Sequence, residues 1–186
     1  MIYSFDLYTM GLLVGALLVA LHVVALVQAD GIRKFLQRFP RSREMGGVLL
    51  AVDAVWAFGL VKSIDLGEFS IYRPIFLAVI VVGFFLTLAF VEEFLAVRAL
   101  GMFLLLAAEP LLEAAFLRPE QSRLLLSVLA YIWATLGVFW VGKPYLLRDQ
   151  IAWVTKTELR WRMAALGGVA YGVAVLVAAL TQWGGQ

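Results

Sequence analysis

The 186-residue sequence has no cysteine, one histidine, five prolines and few charges, with only 15% of its residues Asp, Glu, Lys or Arg against 63% hydrophobic. The lack of cysteine excludes disulfides, thiolate catalysis and cysteine-ligated zinc or iron–sulfur clusters. The single histidine, His22, excludes any site that needs two imidazoles from one chain, including a bis-histidine haem. The scarcity of charge excludes an ordinary water-soluble domain, whose surface needs far more polar side chains. Several chemical signatures are missing as well: a glycine-rich phosphate loop, a His-Glu-x-x-His zinc motif, a Glu-x-x-His di-iron motif and a Gly-x-Ser-x-Gly nucleophile elbow. No repeat of about 20–50 residues marks a duplicated transporter fold.

What the sequence does have is long apolar runs. A bilayer-spanning helix takes roughly 20 apolar residues, so this length accommodates about six and leaves no room for a separate soluble domain. The expected fold is an all-α integral membrane protein, one polytopic domain over 1–186, with helices at about 7–29, 46–66, 74–92, 95–117, 124–142 and 163–183. The reversal between the third and fourth spans is the least defined and is expected between Phe94 and Gly101. Val27-Gln28-Ala29 resembles a signal-peptidase site. However, the segment before it carries Asp6 and no basic residue, so a retained first span is expected.

Basic residues divide unequally between alternate connections: eleven fall in the first, third and fifth, and four in the second and fourth. The positive-inside rule then places the odd loops in the cytoplasm and both termini outside. The same asymmetry accounts for a pI near 9.0 without invoking nucleic acid. In the first loop, Ile32, Phe35, Leu36 and Phe39 recur at helical spacing opposite Arg33, Lys34 and Arg38, and Pro40 closes the pattern. This is an amphipathic helix lying at the interface. Trp153 and Trp161, set among basic residues in the fifth loop, are the aromatic-and-basic mixture of the headgroup level. Arg33, Lys34, Arg38, Trp153 and Trp161 are therefore the expected contacts for anionic lipid headgroups.

Ionisable groups inside a span are costly and need a partner or a task. His22 and Asp53 each lie seven residues from the expected inner end of a span, so adjacent antiparallel helices would pair them. Glu109 and Glu113 are four residues apart, hence on one helix face, with Pro110 between them. Lys62 lies at the depth of Glu113 and is expected to complete a buried ionisable pocket with both carboxylates. His22 is also the only candidate ligand for a single haem or chlorophyll-type pigment. Gly11-x-x-x-Gly15 and the Ala164, Gly168, Gly172 series permit close helix contacts.

No complete active site emerges. The leading expectation is a non-catalytic integral subunit or assembly protein of a larger membrane complex, whose partners are lipids and other membrane subunits or a second copy. The alternative is a small proton- or cation-coupled transporter or channel using Asp53, Glu109 and Glu113. An intramembrane lipid-modifying enzyme comes third, since no nucleophile accompanies the carboxylates.

Overall fold

The structure is a computed structural model and describes residues 5–91 and 93–183. Every regular element among them is helical: α1 (Leu7–Val27), α2 (Ala29–Arg38), α3 (Arg43–Ser63), α4 (Arg73–Phe90), α5 (Leu95–Ala115), α6 (Leu124–Gly142), α7 (Tyr145–Thr155) and α8 (Glu158–Ala178). A π-helical turn, Ala179–Trp183, extends α8. Helices α1, α3, α4, α5, α6 and α8, some with their flanking turns, are long and apolar enough to cross a membrane.

Local chemistry sets the ends. The Asp6 carboxylate accepts from the Thr9 N–H and starts α1, the Ser42 hydroxyl accepts from Met45 N–H and starts α3, and the Thr157 hydroxyl accepts from Arg160 N–H and starts α8. Two of these caps, Ser42 and Thr157, lie several residues before the expected starts of their spans. As a result α3 begins at Arg43 rather than 46, and α8 begins at Glu158 rather than 163. Basic residues assigned to loops thus belong to helix ends. The third reversal falls between Phe90 and Leu95, so it precedes the expected range of Phe94–Gly101 except at Phe94, and Glu92 is outside the described residues. Phe94 closes it in the left-handed region at φ 56°. The first-loop amphipathic segment is helical from Ala29 to Arg38, followed by a 3-10 turn over Phe39–Arg41 that Pro40 favours. Helix α7, with Leu147, Ile151 and Val154 on one side, was not expected.

The six long helices run alternately up and down. One end of the bundle gathers α2, α7 and eleven of the fifteen basic residues, and is called the basic end below. Helix α5 is the centre, with eleven of its twenty-one residues buried. Two seams are tight because glycines remove the side chains between backbones. A β-carbon on Gly101 of α5 would lie 2.9 Å from the Gly137 carbonyl of α6, and one on Gly137 would lie 2.7 Å from that of Gly101. On the α1–α8 seam a β-carbon on Gly172 would lie 3.0 Å from the Gly15 carbonyl. Gly101 is therefore a packing residue and not a turn.

Arginines tie the helix ends together. The Arg73 guanidinium donates to the Lys62 and Ile64 carbonyls at the end of α3, at 3.2 and 2.7 Å. Arg43 donates to Leu88 O at the end of α4, Arg98 to Val141 O at the end of α6, and Arg123 to Ala115 O at the end of α5. Each starts one helix, or its preceding turn, and caps the C-terminus of the antiparallel neighbour. There the orphan carbonyls and the negative end of the helix dipole favour a cation.

Candidate functional site: a groove around Asp53

Asp53 is ten residues from either end of α3, so it sits at mid-height of the bundle, about 15 Å from each end. It is the one charged residue among the described residues that is fully buried, at 4% exposure, and neither carboxylate oxygen has a hydrogen-bond partner. Its side chain lines a cavity of about 410 Å³ bounded by α3, α4 and α5. Ala54 and Ala57 contribute from α3, Gly83 and Thr87 from α4, and Met102 and Leu106 from α5. Thr87 is the only other lining residue with a polar side chain. Toward the basic end the cavity is closed by a cluster of Leu50, Leu95 and Ala99, against which Phe84 and Leu88 pack.

The cavity exists because α4 is poorly packed. No residue of α4 is buried, and its main helix neighbour is α3. A second cavity, of about 250 Å³, flanks the same α3–α4 contact on its other side, at Val55 and Phe58.

His22 and Asp53 are not brought together. Helix α1 packs against α8, not α3, and the His22 ring fills the notch above Gly168 while its Nδ1 lies 2.7 Å from Leu18 O. Neither premise of the pairing holds: His22 lies five residues from the Val27 end of α1 while Asp53 lies ten from the Arg43 end of α3, and the two helices are not neighbours. With the ring pressed on the α8 backbone and its Nε2 edge beside Gly168, the residues present do not fit a planar macrocycle at His22.

Glu109 and Glu113 do share a face of α5, close enough to repel one another, and the Glu109 Oε2 is buried without a hydrogen-bond partner. Glu109 lies seven residues from Met102 and three from Leu106, so it continues their row about 10 Å farther from the basic end. Lys62 does not complete the expected pocket. It is nine residues from Asp53, two and a half helical turns and so on the opposite side of α3. Its exposed ammonium makes no ion pair among the described residues.

The basic-end residues divide as well. Trp161 is 4% exposed, donates to Ala25 O at 3.0 Å and carries the Arg33 guanidinium over its ring, while Arg33 also pairs with Glu158. Both hold α2 and α1 against α8 and do not face outward, contrary to the headgroup contact expected of them. Lys34, Arg38 and Trp153 are exposed.

These features define an all-helical bundle with six helices of membrane-crossing length and an apolar, singly acidic groove between three of them, α3, α4 and α5. No known family pattern, curated protein or solved structure matches the chain. Among the described residues no group of three or more His, Cys, Asp or Glu is placed to hold a metal ion.

Proposed function

We propose that the chain is a non-catalytic, multi-pass subunit or assembly protein of a larger membrane complex, with its basic end in the cytoplasm and both termini on the other side. The observation that supports the subunit reading is the packing deficit of α4, a helix of spanning length with no buried residue and cavities on both flanks of its contact with α3. Transmembrane helices associate mainly through close van der Waals packing. The α1–α8 and α5–α6 seams have that packing and α4 lacks it, so a second membrane protein completes it. Helices α2 and α7 then lie at the inner interface, with Lys34, Arg38 and Trp153 toward anionic headgroups.

The test is purification from native membranes in a mild detergent, followed by native mass spectrometry. A stoichiometric membrane partner, lost when Val79 and Val82 on α4 are changed to polar residues, is the expected result. A chain that runs alone and is unaffected by those changes contradicts the subunit reading. One observation favours a second reading. Asp53 lines the cavity, and Glu109 lies one turn beyond Leu106 in the row of α5 that lines it, a succession of acids that a proton- or cation-coupled transporter would use. Flux through liposomes containing the chain alone, abolished by Asp53→Asn, separates the two.

A further inference from the structure

The cavity at Asp53 is a better fit for one class of small molecule than its position in a complex requires. A carboxylate removed from water needs donors, and both Asp53 oxygens lack them. Thr87 supplies one hydroxyl to the cavity, and no lysine, arginine or histidine lines it. The nearby basic groups are committed or remote: Arg43 holds the Leu88 carbonyl, Arg73 holds the end of α3, and Lys62 points from the opposite face of that helix. The missing complement is a group with at least two N–H donors and positive charge. A hydroxyl brings one donor, and a quaternary ammonium brings none.

The rest of the cavity specifies the body of the molecule. Ala57, Val79, Phe84, Met102 and Leu106 present only hydrocarbon, sulfur and aromatic surface, and the volume of about 410 Å³ lies within the usual range for small-molecule sites. Helices α4 and α5 both lean on α3 without packing on each other along their length. The opening between them therefore faces the lipid, not water, and an occupant must arrive through the bilayer. We propose that this cavity binds a membrane-dissolved primary amine, its ammonium on Asp53 and its hydrocarbon chain along Ala57, Met102 and Leu106. The site does not depend on the subunit reading, since it is complete within one chain.

A diazirine-bearing dodecylamine photoprobe tests this on the full chain in neutral phosphatidylcholine nanodiscs, where no anionic lipid draws the amine. Adducts are mapped by peptide mass spectrometry, with retained helicity checked by circular dichroism. The expected adducts fall on the α3 and α5 walls, around Ala57, Met102 and Leu106, and are about tenfold or more weaker in Asp53→Asn. Gly83→Leu provides an independent block. Gly83 lines the cavity and a β-carbon there meets nothing within 4 Å, so a larger side chain has room to project into the cavity while Asp53 is kept. Gly83→Leu should abolish labelling even if Asp53→Asn fails to fold. Unlabelled dodecylamine should compete, and 1-dodecanol and dodecyltrimethylammonium should not. Equal labelling in a folded Asp53→Asn variant or in Gly83→Leu overturns the proposal, as does equal competition by dodecanol. Labelling that appears only after co-purifying subunits are stripped away also overturns it, because the groove then belongs to a partner's side chain while the subunit reading stands.

Discussion

Gly101 and Gly137 meet across α5 and α6, and Gly15 and Gly172 meet across α1 and α8, whereas Gly83 of α4 faces open space. All five positions lack a side chain, but only the first four lie opposite a backbone that uses the room. Where small residues oppose one another the helices close to backbone contact. Where Ala54, Ala57 and Gly83 stand on helices that do not close, the same smallness leaves a cavity and exposes Asp53 to it. Small-residue spacing therefore says that helices can approach, and the neighbour decides whether they do. The α1–α8 and α5–α6 seams are scaffold, and the α3–α4 arm is the region left to bind.

Substitutions that add volume give the sharpest contrast. Gly101→Leu or Gly137→Leu must push one helix backbone off the other and should cost about 3 kcal/mol, near the upper end of overpacking effects. Gly83→Leu should change stability by no more than about 0.5 kcal/mol. Unfolding midpoints in mixed micelles, read by circular dichroism, check both, and a similar loss at all three sites would erase the distinction between seam and arm.

The arginine caps come next. Arg98→Gln and Arg123→Gln remove charge-assisted hydrogen bonds to helix ends on the α5–α6 pair, and each should cost about 2 kcal/mol by the same assay. Asp53→Leu should act in the opposite direction. It removes a buried carboxylate with no donor and should stabilise the isolated chain by about 1–2 kcal/mol. Loss of stability there would mean that Asp53 is part of the scaffold after all. The smallest effects belong to Lys34→Gln and Arg38→Gln. These should leave stability unchanged while weakening the binding of anionic lipid to the micelle-held protein by about 1 kcal/mol each, read by native mass spectrometry.

The spans were legible because apolar runs of spanning length have few alternatives in so uncharged a chain, and α6 runs from Leu124 to Gly142 as expected. The starts of α3 and α8 were missed although their signals were present. Ser42 and Thr157 are standard N-caps, but the charged residues after them read as loop because a hydropathy window ends where charge begins. Helix α7 carried its apolar spacing within a basic segment and was overlooked for the same reason. Other features were not readable. The arginine caps join residues as far apart as Arg98 and Val141, and no local pattern announces which carbonyl a guanidinium will reach.

At the candidate site, the cost of a mid-span charge correctly drew attention to Asp53, but its partner was inferred from depth alone. Depth fixes height along a helix and leaves both azimuth and neighbour open. His22 failed on the neighbour, since α1 lies against α8. Lys62, expected to join Glu109 and Glu113, failed on azimuth: it lies nine residues from Asp53, whose side of α3 meets α5, and so on the opposite side of that helix. The cavity itself depends on how far α4 stands from α5, a distance that no residue in either helix encodes alone.

On the subunit proposal the exposed face of α4, not the glycine-closed seams, receives another membrane protein. A photo-crosslinking amino acid placed at Val79 on the groove, and separately at Val138 on the exposed side of α6, tests this in intact native membranes. A discrete protein adduct from Val79 and none from Val138 is the expected result. Adducts of equal yield from both positions, or none from Val79, would contradict it.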